Sequence, residues 1–497
     1  SADAREYLVT LAPGSATPAP WCNVLANTGF GTVLSESSLG YTWFENAHEF
    51  RLTPWHNDLV CDHSGEAIYL RDEASGRVWS PTALPCRGPG TYRVRHGFGY
   101  TVHSHAVDGI ESELWVHVDR LEPVKYLQLK LANRSGQSRR LVVTGYVEWV
   151  LGDIRARSHM HVVSATEPGS GILVARNRYN AEFGGRATFF AIDSGPYSFT
   201  TDRTEFLGRN GDLSEPAALA QAQLSGRLGI GTDPCAAIQR GLELPPGSEA
   251  TIVFRLGAGR SPAEAMQLAQ HTRPHARAVD SLAQVRSHWD RIIDTVQVST
   301  PESDFDVLAN GWLMYQTLGS RYAARSGFYQ SGGAFGFRDQ LQDTMATIHA
   351  DPALSRAHLL LCASKQFPQG DVLHWWHPPS GRGVRTRCSD DYLWLPVATC
   401  RYLEVTGDGP VLDETVGFLE GRPVNVDEES YYDLPAVSDR IATLYEHCVL
   451  ALRRAVSLRG GRGLPLIGTG DWNDGMNRVG EAGIGESVWL GFFLHRA

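Results

Sequence analysis

Leu256-Gly257-Ala258-Gly259, followed at once by Ser261-Pro262-Ala263-Glu264, is the stretch where the chain changes architecture. Ser261 can cap a helix, Pro262 sits at the first helical position where no N–H is needed, and Glu264 stands three residues after the cap. Upstream the apolar pattern has period two. Leu114, Val116 and Val118 alternate with polar neighbours, as do Leu127, Leu129 and Leu131, and then Val143, Gly145, Val147 and Trp149. Asn133-Arg134-Ser135-Gly136, between the last two runs, favours a tight reversal, so the spacing predicts an antiparallel meander. Repeated short strands with Gly/Pro turns over residues 1–260 indicate one β-sandwich domain.

Downstream the period changes to three and four. Val279, Leu282, Val285, Trp289 and Ile292 form one such stripe, Phe305, Leu308, Trp312 and Tyr315 a second, and Ile441, Leu444, Cys448, Leu452 and Val456 a third. We read 261–300 as a helical linker and 301–497 as a helical catalytic domain. Long Gly- and aromatic-rich connections at 325–338, 367–389 and 459–487 interrupt the helices. Connections of that length inside a compact helical domain usually carry function, and helix pairs with long loops at one end describe an α/α barrel better than a short-loop bundle. The last residues, His495-Arg496-Ala497, follow what reads as a helix just begun, so the barrel is expected to be incomplete and the chain a piece of something longer.

The composition narrows the partners. Lys and Arg number 45 against 55 Asp and Glu, a net charge of −10 without a basic stripe, which argues against nucleic acid and anionic membrane surfaces. Tryptophan (13) and tyrosine (17) are plentiful, and their flat faces suit sugar rings, although they also build ordinary cores. Eight cysteines without a Cys-x-x-Cys pair fit reduced thiols in a cytoplasmic protein. No apolar run reaches the roughly 18 residues of a spanning helix, and Ser1 onward lacks the order of a signal peptide.

Three segments could carry chemistry. In Gly332-Gly333-Ala334-Phe335-Gly336-Phe337-Arg338-Asp339-Gln340-Leu341-Gln342-Asp343, the Arg338-Asp339 pair can hold a polyhydroxyl ligand. A salt bridge that caps the following helix is the alternative, and it is an even match for Asp343. His374-Trp375-Trp376-His377-Pro378-Pro379, continued by Arg382, Arg385 and Ser389-Asp390-Asp391, offers a sugar platform; a loop packed by its own aromatics is the competing reading. His374 and His377 lack third and fourth ligands at recognisable spacing, so no metal is expected. One of Asp390 and Asp391 is expected to cap the helix near Tyr392. In Gly468-Thr469-Gly470-Asp471-Trp472-Asn473-Asp474-Gly475-Met476-Asn477 the glycine-rich loop can set a carboxyl beside an indole that excludes water and raises the acid's pKa, as a general acid requires. An Asx-rich turn is the plain alternative.

Taken in order, these segments closely resemble glycoside hydrolase family 94, the inverting phosphorylases of cellobiose, chitobiose, laminaribiose and β-1,2-glucans. Pro18-Ala19-Pro20-Trp21-Cys22-Asn23-Val24-Leu25-Ala26-Asn27, with Gly40-Tyr41-Thr42-Trp43-Phe44-Glu45-Asn46 and Arg51-Leu52-Thr53-Pro54-Trp55, is similar more specifically to the phosphorylase-like region of bacterial cyclic β-1,2-glucan synthases. The resemblance implies a β-sandwich, a helical linker and an (α/α)6 barrel. It implies Asp474 as proton donor, Trp472 along the donor sugar's subsite and Asp339 on that sugar's hydroxyls. With these, Arg338, Asp343, Trp376, His377, Arg385 and Asp391 complete the expected substrate-binding set. Inorganic phosphate is the implied co-substrate and no cofactor is expected; partners are a β-glucan oligosaccharide and phosphate, with a homodimer as a further candidate. The parent protein would be membrane-embedded with this module on the cytoplasmic side.

Two departures bear on specificity. Cellobiose-type members carry an Arg where this chain has Ser331-Gly332-Gly333, which disfavours cellobiose. The family's phosphate-binding His and Thr-Gly fall beyond Ala497, so this chain alone is expected to lack turnover. A free-standing cellobiose-type phosphorylase and a non-catalytic glucan-binding module are the other readings.

Overall fold

The computed structural model describes every residue of the chain except 2, 168, 169, 194, 230, 232 and 426. The chain forms two compact units: Ser1–Arg291 with Val298–Gly333, and Ile292–Gln297 with Ala334–Ala497.

The first unit is built on a nine-stranded and a five-stranded antiparallel sheet, with a three-stranded sheet beside them. The strands Ile110–Val118 and Val124–Asn133 pair as the alternation predicts, Leu114 opposite Leu129. The next expected pairing does not form. Arg139–Glu148 lies in the five-stranded sheet between Pro234–Leu244 and Glu66–Asp72, so residues 133–136 carry the chain from one sheet to the other. The reason is that both runs are apolar toward the same place. Leu127, Leu129 and Leu131 from one sheet and Leu141, Val143 and Val147 from the other share one core, which lying side by side in a single sheet would not give. Asn133 holds the crossing, its Nδ2 donating to the Gln137 and Leu244 carbonyls (2.8 Å each) and its Oδ1 accepting from Ser135 N (2.9 Å).

The helix Pro262–His271 begins where the cap predicted. Ser261 Oγ accepts from Glu264 N (3.1 Å), and Glu264 Oε2 accepts from Arg260 N (3.0 Å). Its Ala265 and Ala269 cover the outer face of the nine-stranded sheet against Tyr126, Phe189 and Val253. The approach needs a residue without a side chain at 259, where a Cβ would lie 2.5 Å from Ala265 N. In His275–Ile293 the expected Val285, Trp289 and Ile292 are buried, with Ala278 and Ser281 beside them, while Val279 is exposed. Between Ser303 and Ala324 the helix is π-wound at Leu308–Trp312 and Thr317–Ala324. Wider turns break the 3.6 period, so Phe305 and Leu308 are exposed while Tyr315, Leu318 and Tyr322 are buried. By compactness Val298–Gly333 falls in the first unit.

The second unit is mainly helical, with Phe337–Thr347, Pro352–Ala363, Trp394–Thr406, Leu444–Ser457 and Val488–Arg496. The long connection at 367–389 is a hairpin, Leu373–His377 with Arg382–Thr386, inside a four-stranded antiparallel sheet completed by Phe335–Gly336 and Ser430–Asp433. A second pair, Thr415–Glu420 with Ala436–Thr443, takes Ile441 out of the expected helical stripe. The helix starts after it, on a capping box of Thr443 and Glu446. Among the described residues no helix is long and apolar enough to cross a membrane.

Candidate active site

The site lies within the second unit, where the first turn of Phe337–Thr347, the hairpin strand Leu373–His377 and the loops 387–391 and 468–474 converge. Gly468, at φ +63°, makes that possible: a Cβ there would lie 1.9 Å from the Arg387 carbonyl. The loop is then pinned by Thr469 N to Arg387 O (3.2 Å) and by Ser389 N to Gly470 O (2.9 Å). These bonds bring 471–474 beside Asp390 and Asp391.

The two carboxylates of this loop do different things. Asp471 is used by the loop itself, Oδ1 accepting from Asn473 N (3.2 Å) and Oδ2 from Ser487 Oγ (2.7 Å). Asp474 opens a short 3-10 turn, capped by Asn473, and its side chain is 57% exposed. Arg338 reaches it with Nη2 (2.8 Å), and His374 Nε2 stands 3.8 Å from its other oxygen. Arg338 is itself buried and fixed, its Nη1 donating to Asp390 (3.1 Å to Oδ1) and to the Asp471 carbonyl (2.9 Å). His374 Nδ1 bonds to Asp391 Oδ2 (2.8 Å). Burial works against a charged imidazole, but Asp391, and after it Asp474, outweigh burial and lift His374 to about 9. Asp474 therefore sits between two cations held by two buried acids. Trp472, 54% exposed, does not build the water-excluding wall expected around Asp474.

Asp390 and Asp391 correct a second expectation. Neither caps the turn that follows. Asp390 accepts from Arg338 and, through Oδ2, from Trp394 Nε1 (3.0 Å), and burial together with the adjacent Asp391 pushes its pKa up. Asp391 holds His374 by one oxygen, while its other oxygen is buried and has no hydrogen-bond partner among the described residues.

The remaining expected residues divide. Asp339 is the exposed residue of an otherwise buried first turn, next to Arg338, and Asp343, half-buried, lies one turn further on the same helix. Arg385 is not available to a sugar. It is 1% exposed, and all its donors are used: Nε and Nη2 on Asp371 (2.7 and 2.8 Å), Nη2 also on Gln369 (3.1 Å), and Nη1 on the carbonyls of Gly421 and Arg422. Trp376 is likewise buried, 2% exposed, against Phe335. The half-buried indole of this hairpin is Trp375, packed with His377 and Tyr432, whose hydroxyl meets His377 Nδ1 at 3.0 Å. His377 thus belongs to that aromatic group rather than to the ring of charges around Asp474. His374 and Asp390 were missed as site residues; a histidine two positions before a buried tryptophan was the available signal.

The structure does bring third ligands near His374: Cys388 and Asp391 offer atoms that, with His374, all lie within 4.8 Å of one another. Burial pushes the Cys388 thiol up to about 12, and His374 Nδ1 is already engaged by Asp391.

Residues 5–275 match the glycosyl hydrolase 94 supersandwich domain, and residues 288–497 the catalytic domain of the glycosyl hydrolase 94 superfamily. The chain is 43% identical over 494 residues to the cyclic beta-(1,2)-glucan synthase NdvB of Rhizobium meliloti (strain 1021), covering 99% of this chain and 17% of that protein. It is 27% identical to the N,N'-diacetylchitobiose phosphorylase of Vibrio proteolyticus, covering 99% of this chain and 62% of the relative. The solabiose phosphorylase of Paenibacillus borealis is 28% identical, with 86% and 53% covered. The chain thus spans less than two thirds of the length of each of these relatives.

Proposed function

The chain belongs to glycoside hydrolase family 94, and from that premise we propose that it is a phosphorylase module for inverting phosphorolysis of β-glucosides, β-1,2-glucan first among them. The observation that carries the reading is Asp474, the exposed carboxyl of the loop, set between Arg338 and His374. An inverting glycosidase needs a second carboxylate to activate water; phosphate is already an anionic nucleophile, so one acid suffices. Asp474 gives its proton to the departing glycosidic oxygen as the bond from C1 breaks. A phosphate oxygen forms the new bond to C1 from the opposite face. The products are α-glucose 1-phosphate and a chain shortened by one sugar, with Asp474 left as carboxylate.

Arg338 is held by Asp390 and His374 by Asp391, so both side chains keep their positions whether or not Asp474 carries its proton. Asp339 and Trp472, both exposed, are groups that can meet sugar hydroxyls and a ring face. The identity to a cyclic beta-(1,2)-glucan synthase supports β-1,2 linkage.

The test is release of glucose 1-phosphate from β-1,2-oligoglucan and, side by side, from cellobiose, with phosphate supplied. It is run on the chain and on its parent protein. Asp474→Asn in the parent is expected to abolish release and leave oligosaccharide binding nearly unchanged. Release at the native rate by that variant means another group is the acid.

A further inference from the structure

The loop at 55–64 of the first unit gathers ligand types that no step above uses. Asp58, Cys61 and His63 each present one ligand atom, all within 4.8 Å of one another. The backbone is folded to achieve this. Asp58 Oδ1 accepts from Val60 N (3.0 Å) and Cys61 N (3.1 Å), the Asp58 carbonyl accepts from Asp62 N (2.9 Å), and Asp62 takes a left-handed φ of 47°. Asp62 turns inward to Ser35 and Ser38, which leaves its neighbours Cys61 and His63 on the outside. A fourth group is at hand, the His56 ring, 5.8 Å from that of His63.

We propose that Asp58, Cys61 and His63, with His56 or a water as fourth ligand, form a site for one Zn²⁺ ion. The donor set decides the metal. Thiolate and imidazole select zinc and its first-row neighbours, whereas Mg²⁺ and Ca²⁺ take oxygen ligands almost alone. The Cys61 thiol donates to Asp58 and is held protonated by it. On binding, that proton leaves to solvent, the sulfur–zinc bond forms, and Asp58 exchanges a thiol partner for the ion. The bound ion pins a loop whose tip carries exposed Leu59 and Val60, and whose Trp55 donates to the Phe328 carbonyl (2.8 Å).

The experiment is titration of the metal-free chain with Co²⁺ and with Zn²⁺. One equivalent of Co²⁺ is expected to bind with a thiolate-to-cobalt charge-transfer band in the near ultraviolet, which Zn²⁺ bleaches by displacement. Cys61→Ser should remove the band, and His63→Ala should weaken binding by about tenfold or more. Cys388→Ser should keep it. Cys61 and His63 are exposed, and far-ultraviolet circular dichroism checks that their variants fold. Absence of the band in the unaltered chain, its survival in Cys61→Ser or its loss in Cys388→Ser overturns the site.

Discussion

His374 is the residue whose behaviour most directly reports the state of the site. Its folded pKa of about 9 lies above the ordinary 6.5 because Asp391 and Asp474 outweigh burial. A raised value means the folded state holds the proton more tightly, so the stabilisation is present in full below pH 6.5 and is lost as pH rises through about 9. Two measurements follow from that sign. The imidazole resonances of His374 should titrate near 9 in the native chain, and the stability gap between the native chain and His374→Gln should narrow between pH 7 and pH 10. A gap that stays constant with pH would remove the ion pair with Asp391 from the account. Residue type and loop context singled out Arg338 and the two acids of the glycine-rich loop but did not rank Asp471 against Asp474; the family resemblance chose Asp474, and the fold sets it beside Arg338 and His374. What separates the two acids is Ser487, a residue sixteen positions away that occupies the first acid.

At the level of elements, the hairpin Leu373–His377 with Arg382–Thr386 was hidden for physical reasons. Its register shifts between Leu373 and Trp375, and His-Trp-Trp-His does not alternate in polarity, so the period-two signal is absent. Without the strands, Trp376 and Arg385 looked like ligand groups; within them, both point into protein. Arg385 ties the hairpin to residues 369–371 and 421–422 and lies 3.6 Å over the Phe367 ring. Arg385→Ala should therefore act on stability, by about 3–5 kcal/mol, because Asp371 is left without its bidentate partner. Urea unfolding measures the loss. A weakly folded variant that still binds oligosaccharide with unchanged affinity is the expected result. A normally stable variant with weakened sugar binding would return Arg385 to the ligand set. The Ser261 cap shows the opposite case. There the signal is local, two side chains and a proline within four residues, and the helix begins where it says.

For the molecule as a whole, the order of a sheet-rich unit before a helical one was legible, while the way the sheets are joined was not. The joint in the first unit is an ion pair. Lys125, on a strand of the nine-stranded sheet, donates to Glu66 Oε2 (2.7 Å), on a strand of the five-stranded sheet, and also to Thr32 Oγ1 (2.9 Å) and the Leu39 carbonyl (3.1 Å). Glu66 Oε1 accepts from Thr42 (2.6 Å) and Thr53 (2.7 Å), so the three-stranded sheet is drawn in through Thr32 and Thr42. Both charges are buried, at 0% and 1% exposure, and burial pulls the Lys125 ammonium below its ordinary pKa. The parity of the strand carried a hint: Lys125 alternates in phase with Leu127, Leu129 and Leu131, which places it on the core side rather than with the outward polar residues. Removing one partner strands the other. Lys125→Met is expected to cost about 3–5 kcal/mol, since Glu66 would keep its hydroxyl donors and lose its only counter-charge among the described residues. Replacing Glu66 by Gln in the same chain should recover part of that loss, because a neutral amide can still accept from Thr42 and Thr53. The comparison is made by urea unfolding of the two single variants and the double. If Lys125→Met alone costs less than about 1 kcal/mol, the hydroxyls already satisfy the carboxylate and the ion pair does not join the sheets.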